Sequence, residues 1–565
     1  MRKMGGRRLV TSVFLLLLAG GVCTEGLLEV SMGNLTELHL NFSTPTEFRL
    51  QNIPANVSVI IFQVHSQYVN VTLSFTKIPE RNDSEVSSDA GLVSVLRPQQ
   101  TVCTWYVETA SPDPVLASAL SIPYTERDPI PGACNQEFNL EIDPNIYLQY
   151  NLYETVIKIA PANLGYARNA TAGGCDTQTG QNTRWRLQYD IYQYFLPENN
   201  LSEATIITHL LRMSTVSQVS TNGKKLATLT SSDRPTMAFS SIPGQGIIYN
   251  VIVRDPFLNT SAAYVPVHTY ACNFTATMDN CYTLGKVSSK IFFTLFAILG
   301  LFVCFLGHRF LKTGFFFTGF IIFGFLMFVL LTRVTLLGYN DRLVFTGLAG
   351  ILGGVLLVGY WWRFGCVYMC MLLVGLVLGF LVSSIVFFTP IGDFNTFRND
   401  TVFWLTFTCI ALLAPLCLLP FPRILNILSC SIVGSYGVVL AVDSYLYTSL
   451  SYITLNILKR ALNSDFSTVY TSVPFQTNDF IIIAVWAVLV LSGAFTQFYR
   501  ERELPPFPPT PYVIWKRNRE RRITNILDPI YHTPPLKERI LASLARFRDL
   551  FRKEQPLGER TPLLL

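Results

Sequence analysis

GLAGILGGVLLVGYWWRFGCVYMCMLLVGLVLGFL, residues 347–381, contains one basic residue, Arg363, and no acidic one. A helix rises about 1.5 Å per residue, so about 20 apolar residues cross the ~30 Å hydrocarbon core of a bilayer. The stretch is too long for one crossing, and Arg363-Phe364-Gly365 is its natural break. It therefore reads as two consecutive membrane helices joined by a very short turn. The same texture continues on both sides. Apolar runs fall near 289–307, 314–333, 343–362, 366–388, 402–420, 424–446 and 479–498, which predicts a seven-helix α transmembrane bundle over 287–499.

Composition agrees with a membrane class: half of the 565 residues are hydrophobic and only 14 % are charged. The formal charge of +6 is carried by the end of the chain. From Arg500 onward 14 Lys and Arg face 8 Asp and Glu, and the rest of the chain balances. A basic tail after seven crossings places the C-terminus in the cytosol and the N-terminus outside. The start agrees. Arg2, Lys3, Arg7 and Arg8 precede a short apolar core, Leu9 to Ala19, and a small-residue site, so 1–21 reads as a secretory signal peptide; a signal anchor is the alternative.

Residues 22–286 carry nine N-x-Ser/Thr sequons, at Asn34, Asn41, Asn56, Asn70, Asn82, Asn169, Asn200, Asn259 and Asn273. A tenth, Asn399, follows the fourth run, in a loop that this topology also puts outside. All ten are candidate glycosylation sites. VSVIIFQVHSQYVNVTLSF, IYLQYNLYETVIKI, RWRLQYDIYQYFL and GIIYNVIVRDPF are rich in Val, Ile, Tyr and Phe with alternating polarity. The fold class is thus a multidomain membrane protein: a β-sandwich-type exoplasmic region plus the helical bundle. Two sandwiches are expected, divided near the Pro-rich stretch 111–132. An oxidising compartment favours disulfides. Cys272 with Cys281 and Cys134 with Cys175 are the expected pairs, which leaves Cys103 over.

Chemistry is scarce. His39, His65, His209 and His268 are scattered, and no H-E-x-x-H or G-x-S-x-G is present, so no enzyme activity, cofactor or metal is expected. Nothing points to a nucleic-acid partner. A G-protein-coupled receptor is disfavoured: the third run ends Gly359-Tyr360-Trp361-Trp362-Arg363, and the seventh lacks Asn-Pro-x-x-Tyr. The intramembrane acid Asp443 is expected to snorkel to the interface or to pair with Arg333, with ion binding as the alternative. Gly347, Gly350, Gly353 and Gly354 let helices approach closely, either in one tight bundle or in an oligomer or pore.

GHRFLKTGFFFTGFIIFGFLM (307–327), the Gly-rich third run and GYWWRFGCVYMCMLLVGLVLGFL (359–381) resemble a multispanning domain of unknown function found in a Wnt-associated membrane scaffold. With the leader, the sequons and the tail, the whole chain resembles the transmembrane 7 superfamily member 3 family, seven-span membrane proteins outside the G-protein-coupled class. The resemblance implies a cytoprotective, stress-damping role and no biochemical activity.

The tail, 500–565, opens with ELPPFPPTPYVIW (503–515), expected to be extended, and then five basic residues from Lys516 to Arg522. Leu536, Ile540, Leu541, Leu544, Phe547 and Phe551 share one face of an expected amphipathic helix near 536–553, suited to the membrane surface. The chain ends GERTPLLL, in which Glu559, Leu563 and Leu564 match an acidic dileucine signal for a clathrin adaptor. The expected partners are the lipid bilayer, that adaptor and an exoplasmic ligand or protein of unknown identity. The expected location is the plasma membrane and endolysosomal membranes. The functional expectation is a non-enzymatic scaffold that modulates cell survival or stress signalling. The alternative is a transporter or channel built on the Gly-rich spans and Asp443.

Overall fold

The computed structural model describes residues 27–502, apart from 43, 177–181, 232–235, 277–279, 283–284, 464–465 and 467, together with 511–524, 540–543 and 545. The expected leader, most of the expected helix near 536–553, and Glu559, Leu563 and Leu564 lie outside the described residues. The chain forms two compact units, Met1–Leu357 with Tyr368–Leu504, and Val358–Val367 with Pro505–Leu565.

The first sandwich is built from β1 (Leu27–Val30), β2 (Thr36–Leu40), β3 (Thr46–Leu50), β4 (Val57–Ser66), β5 (Val71–Ser74), β6 (Ser84–Ser87), β7 (Asp89–Val95), β8 (Cys103–Thr109) and β9 (Val115–Thr125). They form two sheets in the orders β1-β3-β8-β5-β6 and β2-β9-β4-β7. Between the sheets Phe62 stacks on Trp105 at 4.5 Å, and Phe48 packs beside Phe62. Trp105 donates its indole N–H to Ser94 Oγ at 3.0 Å, so the buried ring leaves no polar atom unpaired. β9 runs through the stretch 111–132, near which the first sandwich gives way to the second.

The second sandwich follows. It comprises β10 (Ile146–Tyr150), β11 (Glu154–Ile159), β12 (Gln188–Phe195), the helices α1 (Glu203–Leu211) and α2 (Val216–Asn222), β13 (Lys224–Thr230), β14 (Thr236–Ser240), β15 (Ile247–Asp255), β16 (Thr260–Ala263) and β17 (Val267–Thr269). One sheet runs β10-β11-β14 and the other β13-β12-β15-β16, with β17 also on β15. Every residue of β4 is buried, an unusual state for an antiparallel strand. The pleat explains it. Ile60, Phe62 and Val64 point into the first core, while Val59 and Ile61 point into the second with Leu120 and Ile122 of β9. One sheet is therefore the partition between two cores.

Among the described residues seven helices are long and apolar enough to span a membrane: α3 (Val287–Leu306), α4 (Leu311–Val334), α5 (Tyr339–Phe364), α6 (Val367–Phe388), α7 (Asp400–Leu418), α8 (Pro422–Leu446) and α10 (Thr477–Glu501). A shorter helix, α9 (Tyr452–Leu462), lies between the last two. α8 is the hub, with 72 % of its apolar window buried, against 17 % for both α3 and α10. Glycine sets the spacing. A Cβ on Gly300 of α3 would stand 2.5 Å from the carbonyl oxygen of Gly434 on α8, and a Cβ on Gly319 of α4 would stand 2.6 Å from that of Gly353 on α5. The Gly-rich faces thus close on helices of the same chain.

In the second unit, α11 (Pro511–Thr524) corrects the expectation of an extended 503–515 segment for residues from 511 on. Pro511 stands at the first helical position, where its missing N–H is an orphan in any case. Trp515 stacks on Tyr512, both rings lie within 6.4 Å of Trp362, and Arg363 caps Tyr512 at 4.3 Å. Lys516, Arg517 and Arg519 are exposed.

Gly434→Ala is expected to cost about 1–3 kcal/mol, because the backbone it faces cannot move without opening the α3–α8 contact. Gly359→Ala, at a position with nothing within 4 Å, is the control. Thermal unfolding in detergent should show a lowered midpoint for the first variant only; equal midpoints would refute the close approach.

Candidate functional site

The segment between α8 and α10 joins the sandwiches to the bundle. α9 carries apolar side chains on more than one face. Tyr452 is buried in the core of the second sandwich with Leu455 against it, whereas Ile457 is buried among Phe387, Phe403 and Phe407 at the end of α6 and the start of α7. Beyond α9, Tyr470 extends the edge of β14. Its N–H donates to Ala238 O, and its carbonyl accepts from Ser240 N, both at 2.9 Å. This is strand addition from within the chain. Arg398, before α7, lies 4.0 Å over the Tyr470 ring.

Lys459 sits in the middle of this joint and is 3 % exposed. Its ammonium donates to Ser240 Oγ at 3.1 Å and to Ser241 O at 2.8 Å, and lies 5.1 Å over Tyr452. No carboxylate is bonded to it among the described residues. Burial pushes its pKa down to about 7. Arg460 beside it bonds Asp400 at 2.9 Å and covers Phe403 at 3.7 Å.

A second contact is made where α10 begins. Gln476 donates through Nε2 to Leu196 O at 2.9 Å and accepts from Glu198 N at 2.8 Å. Gln476 is also the N-cap of α10, in a capping box with Asp479. Asp479 accepts from Ser449 N at 2.7 Å. Asp443 neither snorkels nor pairs with Arg333, which is exposed. It is 4 % exposed and accepts from Thr448 Oγ1 and, at 3.2 Å, from Ser451 N. These bonds hold the turn in which Tyr447 adopts a φ of 55°. The two carboxylates replace the backbone partners that the chain loses on leaving α8. Neither Asp443 nor the Gly-rich faces are left free for a transported ion, so the features behind the transporter expectation serve packing and turn geometry.

The histidines are less scattered in space than in sequence. His65 Nδ1 lies 2.7 Å from one oxygen of Asp89, His268 Nδ1 lies 2.8 Å from the other, and all three residues are buried where the sandwiches meet. The Asp89 charge raises the pKa of His268 against the opposing effect of burial, and the two histidines hold Asp89 below the usual carboxylate range. His268 Nε2 is closed off by Gln67 O at 2.7 Å. The cluster has the form of an interdomain tie. Among the described residues no group of three His, Cys, Asp or Glu side chains is placed to hold a metal.

Asn34, Asn41, Asn56, Asn70, Asn82, Asn169, Asn259, Asn273 and Asn399 are exposed, and Asn200 is half-buried. Asn399 also caps α7 by accepting from Thr401 N at 3.0 Å. Cys134–Cys175 and Cys272–Cys281 are disulfide-bonded, the second just ahead of α3. Cys103 is a buried free thiol, and burial pushes its pKa up to about 11, which keeps it inert. Sequence reasoning missed α9, Lys459, Tyr470 and Gln476. The one signal was the run Tyr452, Ile453, Leu455 and Ile457 ahead of two basic residues.

Three family descriptions match the chain: "TM7SF3-like, N-terminal immunoglobulin-like domain" over 26–124, "TM7SF3-like, second immunoglobulin-like domain" over 129–275, and "TM7S3/TM198-like domain" over 293–498. The protein named transmembrane 7 superfamily member 3 in Mus musculus is 58 % identical over 542 residues, 96 % of each chain. Its namesake in Homo sapiens is 58 % identical over 545 residues, again 96 % of each.

The joint should respond to pH through Lys459. The unfolded chain keeps this proton to about pH 10.4, and the folded one releases it near 7. Between these values the unfolded state binds more protons, so stability rises with pH, by up to about 1.4 kcal/mol per unit. Lys459→Met should flatten this rise in unfolding midpoints measured in detergent from pH 7 to 9. The same slope in the variant would show that the amine is not the source.

Proposed function

The chain belongs to the transmembrane 7 superfamily member 3 family, and on that premise we propose that it is a non-enzymatic membrane scaffold whose immunoglobulin-like region recruits a partner and whose bundle passes the occupied state to the cytosolic side, to modulate cell survival under stress. In this reading the sandwiches are exoplasmic and the basic tail is cytosolic. The observation that carries the reading is the joint: Tyr452 in one core, Ile457 against the spans, and Tyr470 on the edge of β14. A binding module on a flexible stalk would need no such seat. A seat of this kind makes a load on the sandwiches a load on α6, α7, α8 and α10. The immunoglobulin-like fold supports a protein partner on that side, since such sandwiches commonly carry adhesive loops at their ends.

Proximity labelling from tags on both ends, in cells under secretory stress, tests the reading. Tyr470→Pro removes the N–H that bonds Ala238 O. It should leave the partners labelled from the N-terminal tag unchanged, reduce those labelled from the C-terminal tag, and abolish any survival advantage of the wild type. Equal survival of cells with and without the protein would sink the proposal.

The endolysosomal part of the localisation rests on GERTPLLL, whose Leu563 and Leu564 suit an apolar pocket of a clathrin adaptor and whose Glu559 suits a basic site beside it. Leu563→Ala with Leu564→Ala should raise the surface fraction several-fold and slow uptake of surface-labelled protein. Unchanged uptake would leave the plasma membrane as the sole residence.

A further inference from the structure

An open cleft of about 890 Å³ lies between the two sandwiches, and Asn56, Ser58, Thr101, Thr125, Arg168 and Asn169 are among the residues that line it. Two sequons therefore border one cavity, Asn56-Val57-Ser58 from the first sandwich and Asn169-Ala170-Thr171 from the second. They are tied directly. Arg168, the residue before the second sequon, donates from Nε to Val57 O at 2.6 Å, the middle residue of the first. Its two other nitrogens bond Gln100 O at 3.0 Å and Pro54 O at 2.7 Å. Each nitrogen of the guanidinium bonds one of these carbonyls, so the group holds the walls together.

Both asparagines are exposed and line the cleft. Ser58 is 4 % exposed, and its hydroxyl has no hydrogen-bond partner among the described residues although it borders the cavity. The cleft is open, and Ser58, Thr101, Thr125 and Arg168 stand among apolar residues such as Ile53 and Pro98, a mixed lining of the kind that sugar rings, with polar edges and apolar faces, can pack on.

We propose that this cleft is a carbohydrate site filled by the chain's own N-glycans at Asn56 and Asn169, which pack there as the third component of the interdomain joint. Attachment is the usual transfer from a lipid-linked diphospho-oligosaccharide: a C–N bond forms to the asparagine amide nitrogen, that nitrogen loses a proton, and the lipid diphosphate leaves. Tethering explains why the occupant is the chain's own sugar. A shallow polar cleft binds free saccharide weakly, while a glycan attached at its rim is held at an effective concentration of the order of millimolar.

The inference rests on the exoplasmic placement proposed above, and one experiment separates the two. Full-length protein from glycosylating cells, in detergent, is treated with peptide-N-glycosidase under native conditions, and release is followed at each sequon by mass spectrometry. Asn56 and Asn169 should be released at least about tenfold more slowly than Asn34, Asn82 and Asn259, equivalent to about 1.4 kcal/mol of shielding. Asn169→Gln should speed release at Asn56, Asn56→Gln should speed release at Asn169, and Arg168→Ala should speed both. After denaturation all sites should release alike. Equal native rates, or empty Asn56 and Asn169 beside occupied neighbours, would overturn the cleft alone. A chain without glycans at any sequon would overturn the placement as well.

Discussion

Tyr452 belongs to the core of a β-sandwich, and Ile457, little more than a turn further along the same helix, belongs to a cluster at the ends of two spans. Everything above and below that helix depends on this double allegiance. Helices in a bilayer gain little from apolar burial against one another, because lipid is as apolar as leucine, and they pack through close backbone approach at residues such as Gly300 and Gly434. The sandwiches are held by the hydrophobic effect in water. α9 stands where the two regimes meet. It needs apolar faces for both, and its one buried amine, Lys459, is satisfied by oxygen atoms of Ser240 and Ser241.

The joint between the sandwiches follows the same logic of shared elements. β4 serves two cores through its alternate residues, and β9 beside it does likewise. Polar ties reinforce the contact: Asp89 between His65 and His268, Arg168 across three carbonyls, and Asn145 bonded to both backbone groups of Gly91 at 2.7 and 3.0 Å. Removing Asp89 would strip both buried histidines of their shared partner, which is costlier than losing a surface pair. The two sandwiches thus behave as one body seated on a third.

The spans were legible because a window of about 20 apolar residues needs no knowledge of its neighbours. β4, β5, β10, β11, β12 and β15 fall in the four alternating stretches for the same reason. What escaped the sequence depends on pairing across distance. α9 is short, and Lys459 and Arg460 make it read as a polar loop until the sandwich above it is in place. His65 and His268 look unrelated until β4, β7 and β17 bring them to Asp89. Asp443 was read against the membrane normal, where snorkelling and Arg333 were the available partners; a tight turn supplied nearer ones. The prolines of 503–515 suggest an extended chain, although a proline at a helix start, as Pro511 is, is neutral.

The two-sided burial of β4 also has a cost in time. A ribosome adds about 5–20 residues per second, so after Ser66 emerges roughly 10–40 s pass before Asp255 completes the strand that covers Val59 and Ile61. During that interval the nascent first sandwich displays an aliphatic face with nothing against it. The chain therefore has a vulnerable period at every round of synthesis, set by its topology alone, and substitutions that slow closure of the second sandwich lengthen it even when the finished fold is equally stable.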